Sequence, residues 1–98
     1  MKTSIMVGGA THTDMRSMVE FVQHAERLGV DYAWSAEGWS QDAVTSLAYL
    51  AGQTKRIILG TGIMQISARA PSMMAMTALS LHDLSGGCFV LGLSLIHI

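Results

Sequence analysis

The chain is short of the residues that most often announce a chemistry. It has one cysteine, Cys88, which excludes an internal disulfide and cannot alone build a zinc or iron-sulfur centre. A lone thiol fits a reducing cytoplasm, the expected location, and no metal site is expected. Charged residues make up only 13% of the 98 positions, and six Lys and Arg against seven Asp and Glu leave a formal net charge of -1. The electrostatic footprint of a nucleic-acid or anionic-membrane binder is therefore missing, and the expected partner is a small molecule. Long apolar runs are lacking as well. The stretch that opens at Ile5 is soon interrupted by Gly8 and Gly9, too short for a signal-peptide core and far short of a membrane span. Low-complexity tracts, charge blocks and linker-like composition shifts are also missing.

What is present is apolar. Half of the residues are hydrophobic, a lean supply of polar surface for so small a body, and the chain reads as a piece of a larger unit. Short β-type runs alternate with amphipathic segments, the pattern of a parallel sheet covered by helices. A strand at Ile5 to Val7 precedes a helix for which Thr13 is the expected N-cap, with Asp14 at the positive end of its dipole. Met15, Met18, Val19, Val22 and Ala25 recur at helical spacing on one face of that helix, and Gly29 ends it. A second strand runs from Tyr32 to Ala36, and a second helix from Asp42 to about Gly52 turns Val44, Leu47, Ala48 and Ala51 inward. The nearly all-apolar run Ile57 to Gly62 suits a strand buried on both faces. Pro71 starts a third helix that carries Met73, Met76, Leu79 and Leu81, with its methionines expected as core filler, and Ser85-Gly86-Gly87 closes it before a strand at Phe89 to Leu93.

Candidate strands begin at Ile5, Tyr32, Ile57 and Phe89, so one unit is roughly 30 residues and eight would need roughly 250, the size of a (β/α)8 barrel. Periodicity alone allows a doubly wound open sheet equally well. The glycine pattern of a dinucleotide-binding turn does not follow the first strand, which weakens the open-sheet version.

Three segments are more specific: Ala25-Glu26-Arg27-Leu28-Gly29-Val30-Asp31-Tyr32-Ala33-Trp34, Thr54-Lys55-Arg56-Ile57-Ile58-Leu59-Gly60-Thr61-Gly62-Ile63, and Leu84-Ser85-Gly86-Gly87 followed by Phe89-Val90-Leu91-Gly92-Leu93. In this order and spacing they resemble the luciferase-like monooxygenase superfamily. The runs Trp34 to Trp39 and Gly62 to Ser72 look most like the branch that uses the deazaflavin coenzyme F420. The resemblance implies residues 1–93 as the first three to four units of one (β/α)8 TIM barrel, with hydride transfer between coenzyme F420 and an organic substrate. It also implies a full-length homo-oligomer. Two rival readings are an FMN-dependent monooxygenase on the same fold and a non-catalytic flavin-binding or vestigial piece.

In such a barrel the active face is built at the carboxyl ends of the strands, so the loops Gly8 to His12, Glu37 to Gln41 and Gly62 to Ala70 should share one mouth. Gly8, Gly60 and Gly62 let backbone approach a flat ring where a side chain would intrude. Relatives often have a non-proline cis peptide after strand three, which here would join Gly62 to Ile63. Gly8, Glu37, Gly62, Ile63 and Gln65 are the expected coenzyme contacts, and His12 and Trp39 the expected substrate contacts. Glu37, placed in a water-poor pocket, is the expected acid/base residue, with a raised pKa. Gln65 and Ser67 could hydrogen-bond the ring's polar edge, and Arg69 could meet an acidic group on the coenzyme tail.

Three departures from the family pattern stand out. Many deazaflavin relatives follow the acid with histidine, where this chain has Gly38. After Gly86-Gly87 an arginine is usual, where Cys88 stands. Residues 94–98, Ser-Leu-Ile-His-Ile, also leave the pattern and read as a truncation or frame artefact. A partial barrel would expose a sheet edge and an apolar inner face, so the isolated chain is expected to be unstable, self-associating or inactive.

Overall fold

The computed structural model describes residues 1–7, 14–37 and 41–94. Its principal sheet is fully parallel and joins β1 (Ser4–Val7), β2 (Tyr32–Ser35), β3 (Ile58–Thr61) and β5 (Phe89–Val90) in that spatial order. Two further short strands, β4 (Met64–Gln65) and β6 (Leu93–Ser94), pair in parallel just beyond β3 and β5. The order follows the chain without a reversal. A doubly wound sheet reverses direction at its switch point, so the fold is the opening part of a β/α barrel.

Parallel neighbours need crossovers, and three helices supply them. Helix α1 (Met15–Arg27) is capped by Asp14, whose carboxylate accepts from the Ser17 amide at 2.8 Å. Thr13, the expected cap, lies outside the described residues. Helix α2 (Ala43–Ala51) repeats the device, with the Asp42 carboxylate accepting from the Thr45 amide and hydroxyl, both at 2.9 Å. Helix α3 (Pro71–Leu84) carries Pro71 in its first turn, where no helical partner for an N–H exists. Beyond it Gly86 and Gly87 turn the chain at φ 67° and 88°, conformations that L side chains rarely adopt.

The helices cover one face of the sheet. Val7, Ala33, Leu59, Met18, Val22, Leu47, Leu50 and Leu81 form a single buried core there, with Met15, Val19, Val44, Ala48 and Phe89 packed against it. Most of the expected inward set of α1 and α2 is thus in place. Leu50, absent from that set, is fully buried, because α2 touches both α3 and β3 and so buries more than one stripe. The methionines of α3 correct the sequence reading. Met74 and Leu81 are buried, whereas Met73, Met76 and Leu79 are 50%, 53% and 70% exposed. They point away from the sheet and are not core filler in this chain.

The other face of the sheet presents Met6, Tyr32, Trp34, Ile58 and Val90 by strand alternation, none of them buried. This is the inner face of the expected barrel, left open. With Met73, Met76 and Leu79 it adds a second apolar surface. Sedimentation of the isolated chain over a concentration series is expected to show species heavier than the monomer, and a monomer at every concentration would contradict the exposed faces.

At the amino-terminal end of the sheet one carboxylate ties two units together. Glu26, near the end of α1, accepts from the backbone amides of Lys55 (2.9 Å), Arg56 and Ile57 (2.8 Å) as the chain enters β3. Arg56 returns the contact by donating Nη2 to the Glu26 carbonyl at 2.7 Å. Burial pushes the Glu26 carboxyl upward, but the three amides and the Arg56 charge outweigh it, and its pKa is lowered. A lowered folded-state pKa means the stabilisation is present above the ordinary carboxylate range and fades as pH falls through the lowered value. Glu26→Gln is expected to lower stability by about 1–2 kcal/mol at neutral pH. Urea unfolding should also show a shallower loss on acidification than in the parent chain.

Candidate functional site

The carboxyl ends of β2, β3 and β5 meet at one edge of the sheet through a backbone network. The Gly62 amide donates to the Ser35 carbonyl at 2.8 Å, the Glu37 amide to the Ile63 carbonyl at 3.1 Å, and the Met64 amide to the Gly92 carbonyl at 2.8 Å. Thr61, fully buried, bridges the same gap with its hydroxyl, donating to the Gly92 carbonyl at 2.8 Å and accepting from the Gly92 amide at 2.7 Å. Between β3 and β4 the Gly62–Ile63 peptide is cis, as the sequence comparison leads one to expect. Across Leu59 to Gln65 only Gly62 and Ile63 are not buried. A half-buried Gly62–Ile63 pair thus lies between buried neighbours, and the glycine has no side chain to cover its backbone.

Glu37 organises this edge. Its Oε1 accepts from the Gln65 amide at 2.9 Å and Arg69 Nη1 at 3.3 Å, and its Oε2 accepts from the Ala43 amide at 3.1 Å and Arg69 Nη2 at 3.0 Å. The side chain of Gln65 reaches the Glu37 carbonyl at 3.5 Å. One buried carboxylate therefore joins the end of β2, the first turn of α2, β4 and the segment before α3. Burial raises the affinity of this carboxyl for a proton, but the Arg69 hydrogen bonds, the Gln65 and Ala43 amides and the Arg69 charge reverse that effect, and its pKa is lowered. The raised pKa expected from the sequence is not found. A water-poor pocket alone would have raised it, and four donors were not visible in the sequence.

The expected contacts divide three ways. Glu37, Gly62, Ile63 and Gln65 are brought together, while Gly8, His12 and Trp39 lie outside the described residues. Ser67 is exposed. Arg69 is already engaged, since its guanidinium pairs with Glu37 and lies 4.0 Å from Asp42. Beyond it is a cleft of about 350 Å³, otherwise lined by apolar side chains including Ile66, Pro71, Met74, Leu91 and Leu93. Among the described residues no group of His, Cys, Asp and Glu could hold a metal ion, and no helix is long and apolar enough to cross a membrane.

Trp34, Thr61 and Gly92 were missed as parts of this edge. Trp34 lies across from Gly60 in the β2–β3 register and stacks on Tyr32 at 5.5 Å between ring centroids. A Cβ on Gly60 would collide with Cζ3 of the indole, meet Cε3 at 2.7 Å and lie 3.1 Å from the Val90 carbonyl. A Cβ on Gly62 would meet Trp34 at an ordinary 3.5 Å. Gly60 is therefore a socket for the indole and not ring-facing backbone, which corrects its expected role. A Cβ on Gly92 would strike the Thr61 carbonyl, so that glycine answers to the close approach of β5–β6 to β3. Gly60→Ala is expected to destabilise by about 1–3 kcal/mol through overpacking, and Gly62→Ala by less. Thermal unfolding of the two variants checks the order, and Trp34→Leu should relieve Gly60→Ala.

Comparison with known proteins assigns this arrangement to a family. The family model for luciferase-like monooxygenases matches residues 2–94. A protein of Mycobacterium tuberculosis named as a coenzyme F420-dependent oxidoreductase is 42% identical over 93 residues, which are 95% of this chain and 27% of that protein. The coenzyme F420-dependent tetrahydromethanopterin reductase of Methanopyrus kandleri superposes with a TM-score of 0.84 at 25% identity, over 94% of this chain and 26% of its own. A type II Baeyer-Villiger monooxygenase of Pseudomonas putida, solved with FMN, has the same fold, with a TM-score of 0.83 at 20% identity over 96% of this chain and 29% of its own. The chain spans about a quarter of the length of these relatives. With its sequence matched almost throughout and its backbone following part of their barrels, the chain belongs to the luciferase-like monooxygenase family.

Proposed function

We propose that the whole protein carrying this chain is a deazaflavin-dependent oxidoreductase that exchanges a hydride between coenzyme F420 and a small organic substrate, and that these residues form the wall facing the coenzyme's ring. The observation that carries the reading is the accessible Gly62–Ile63 backbone set between buried neighbours at the carboxyl ends of adjacent parallel strands, where β/α barrels hold their active sites. The glycine has no side chain to cover this backbone, which suits the approach of a flat ring. When bound, the deazaflavin would supply the two-electron hydride acceptor or donor. The chain's part is to bind and orient: Ile63 and Gln65 flank the strip, Glu37 stands beside it, and Trp34 supports it from beneath.

Likeness to the Mycobacterium protein favours coenzyme F420 over FMN, since that protein is the more similar in sequence. The FMN-dependent monooxygenase is the second reading, supported by the FMN-bound barrel of the same fold. A small-molecule substrate, no nucleic-acid or membrane partner, a homo-oligomeric state and a cytoplasmic location complete the proposal. Turnover is assigned to the complete barrel and not to this segment, because the segment spans about a quarter of its relatives.

Titration of the whole protein with coenzyme F420 and with FMN, together with oxygen uptake, separates these readings. Tighter binding of F420 without oxygen consumption is expected. Tighter FMN binding with oxygen uptake would establish the monooxygenase, and ring binding with no turnover of any tested substrate would favour a non-catalytic role.

A further inference from the structure

Resting on the coenzyme reading above, we propose that Glu37 and Arg69 form a positioning pair that holds the Gly62–Gln65 segment and so shapes the ring-facing backbone, and that Glu37 is not the residue exchanging a proton with the substrate. A carboxylate has about four acceptor sites. At Glu37 two are taken by backbone amides from different elements, Gln65 on β4 and Ala43 on α2, and two by the guanidinium of Arg69. All four are occupied by donors of the chain itself. A proton could bind only by displacing one of these donors, an amide or the guanidinium.

The same residue grips the segment twice. Its backbone amide holds the Ile63 carbonyl and its side chain holds the Gln65 amide, so Glu37 anchors the chain at the end of the strip and again two residues on, while the Gly62 amide is held by the Ser35 carbonyl. Arg69 keeps the carboxylate charged and aimed, because a bidentate guanidinium fixes direction as well as distance. The Ala43 amide is one of the α2 donors with no helical partner, which locks the clamp to the helix start.

The test is Glu37→Gln in the whole protein, with coenzyme F420 as the probe. The dissociation constant should rise on the order of tenfold, as expected for loss of hydrogen bonds to a charged group. The visible circular dichroism of the saturated ring should also change, which a merely weaker fold would not produce. Arg69→Lys, keeping the charge and losing the fork, should fall between, and it carries the test if Glu37→Gln does not fold. Unchanged affinity and an unchanged spectrum would overturn the proposal. Should the parent protein take up neither F420 nor FMN, the coenzyme reading fails by itself, and the pair is judged by amide hydrogen exchange. Glu37→Gln should then speed exchange at Gln65 and Ala43 on the order of tenfold while Val22 in α1 is unmoved. Equal protection at all three would overturn it.

Discussion

A parallel sheet leaves backbone donors without partners where each strand hands over to a loop, and in this chain two buried or half-buried carboxylates meet that demand. Glu26 collects three amides at the amino-terminal end of the sheet, and Glu37 collects two amides and a guanidinium at the carboxyl-terminal end. A buried amide left unpaired costs about 1–3 kcal/mol, which applies to the Gln65 and Ala43 amides at Glu37, whereas the Lys55 and Arg56 amides at Glu26 lie nearer solvent. The acids differ in what they stabilise. Glu26 joins two scaffold elements, whereas Glu37 joins elements that border accessible backbone, and the same chemistry serves stability at one pole and site geometry at the other.

The glycines divide in a similar way. Gly60 and Gly92 are required by close approach, one to the Trp34 indole and the other to the Thr61 carbonyl, and neither leaves room for a ligand. Gly62 is spatially free and stands where the strip is accessible. Trp34 links the two cases, because its ring fills the space over Gly60 and then runs beneath Gly62. One indole thus packs against both glycines, tightly at Gly60 and at ordinary contact distance at Gly62.

On a scaffold shared by an F420-dependent reductase and a monooxygenase solved with FMN, the fold does not choose the reaction. In this segment Glu37 is held by four donors in a charged form and Arg69 is engaged with it, so both side chains are already used within the chain. The high apolar content follows from the same geometry, since one face of the sheet and one side of α3 are built to be covered and are open in this chain.

Element type and order were legible in the sequence because they depend on local periodicity and punctuation. The Met15 to Ala25 stripe, Gly29, Pro71 and the Gly86-Gly87 stop each act within a turn or two of themselves. The clustering of Glu37, Gly62, Ile63 and Gln65 was legible through the family likeness. Other features were decided only by tertiary structure. Which methionines of α3 face the sheet depends on how the helix is rotated against its neighbours, and Met74 was selected over Met73 and Met76. Whether Gly60 receives a ligand or an indole depends on the β2–β3 register. The protonation preference of Glu37 depends on donors 6, 28 and 32 residues away. Burial and hydrogen bonding act on a carboxyl with opposite signs, and their balance follows from distances in space, which the order of residues along the chain does not contain.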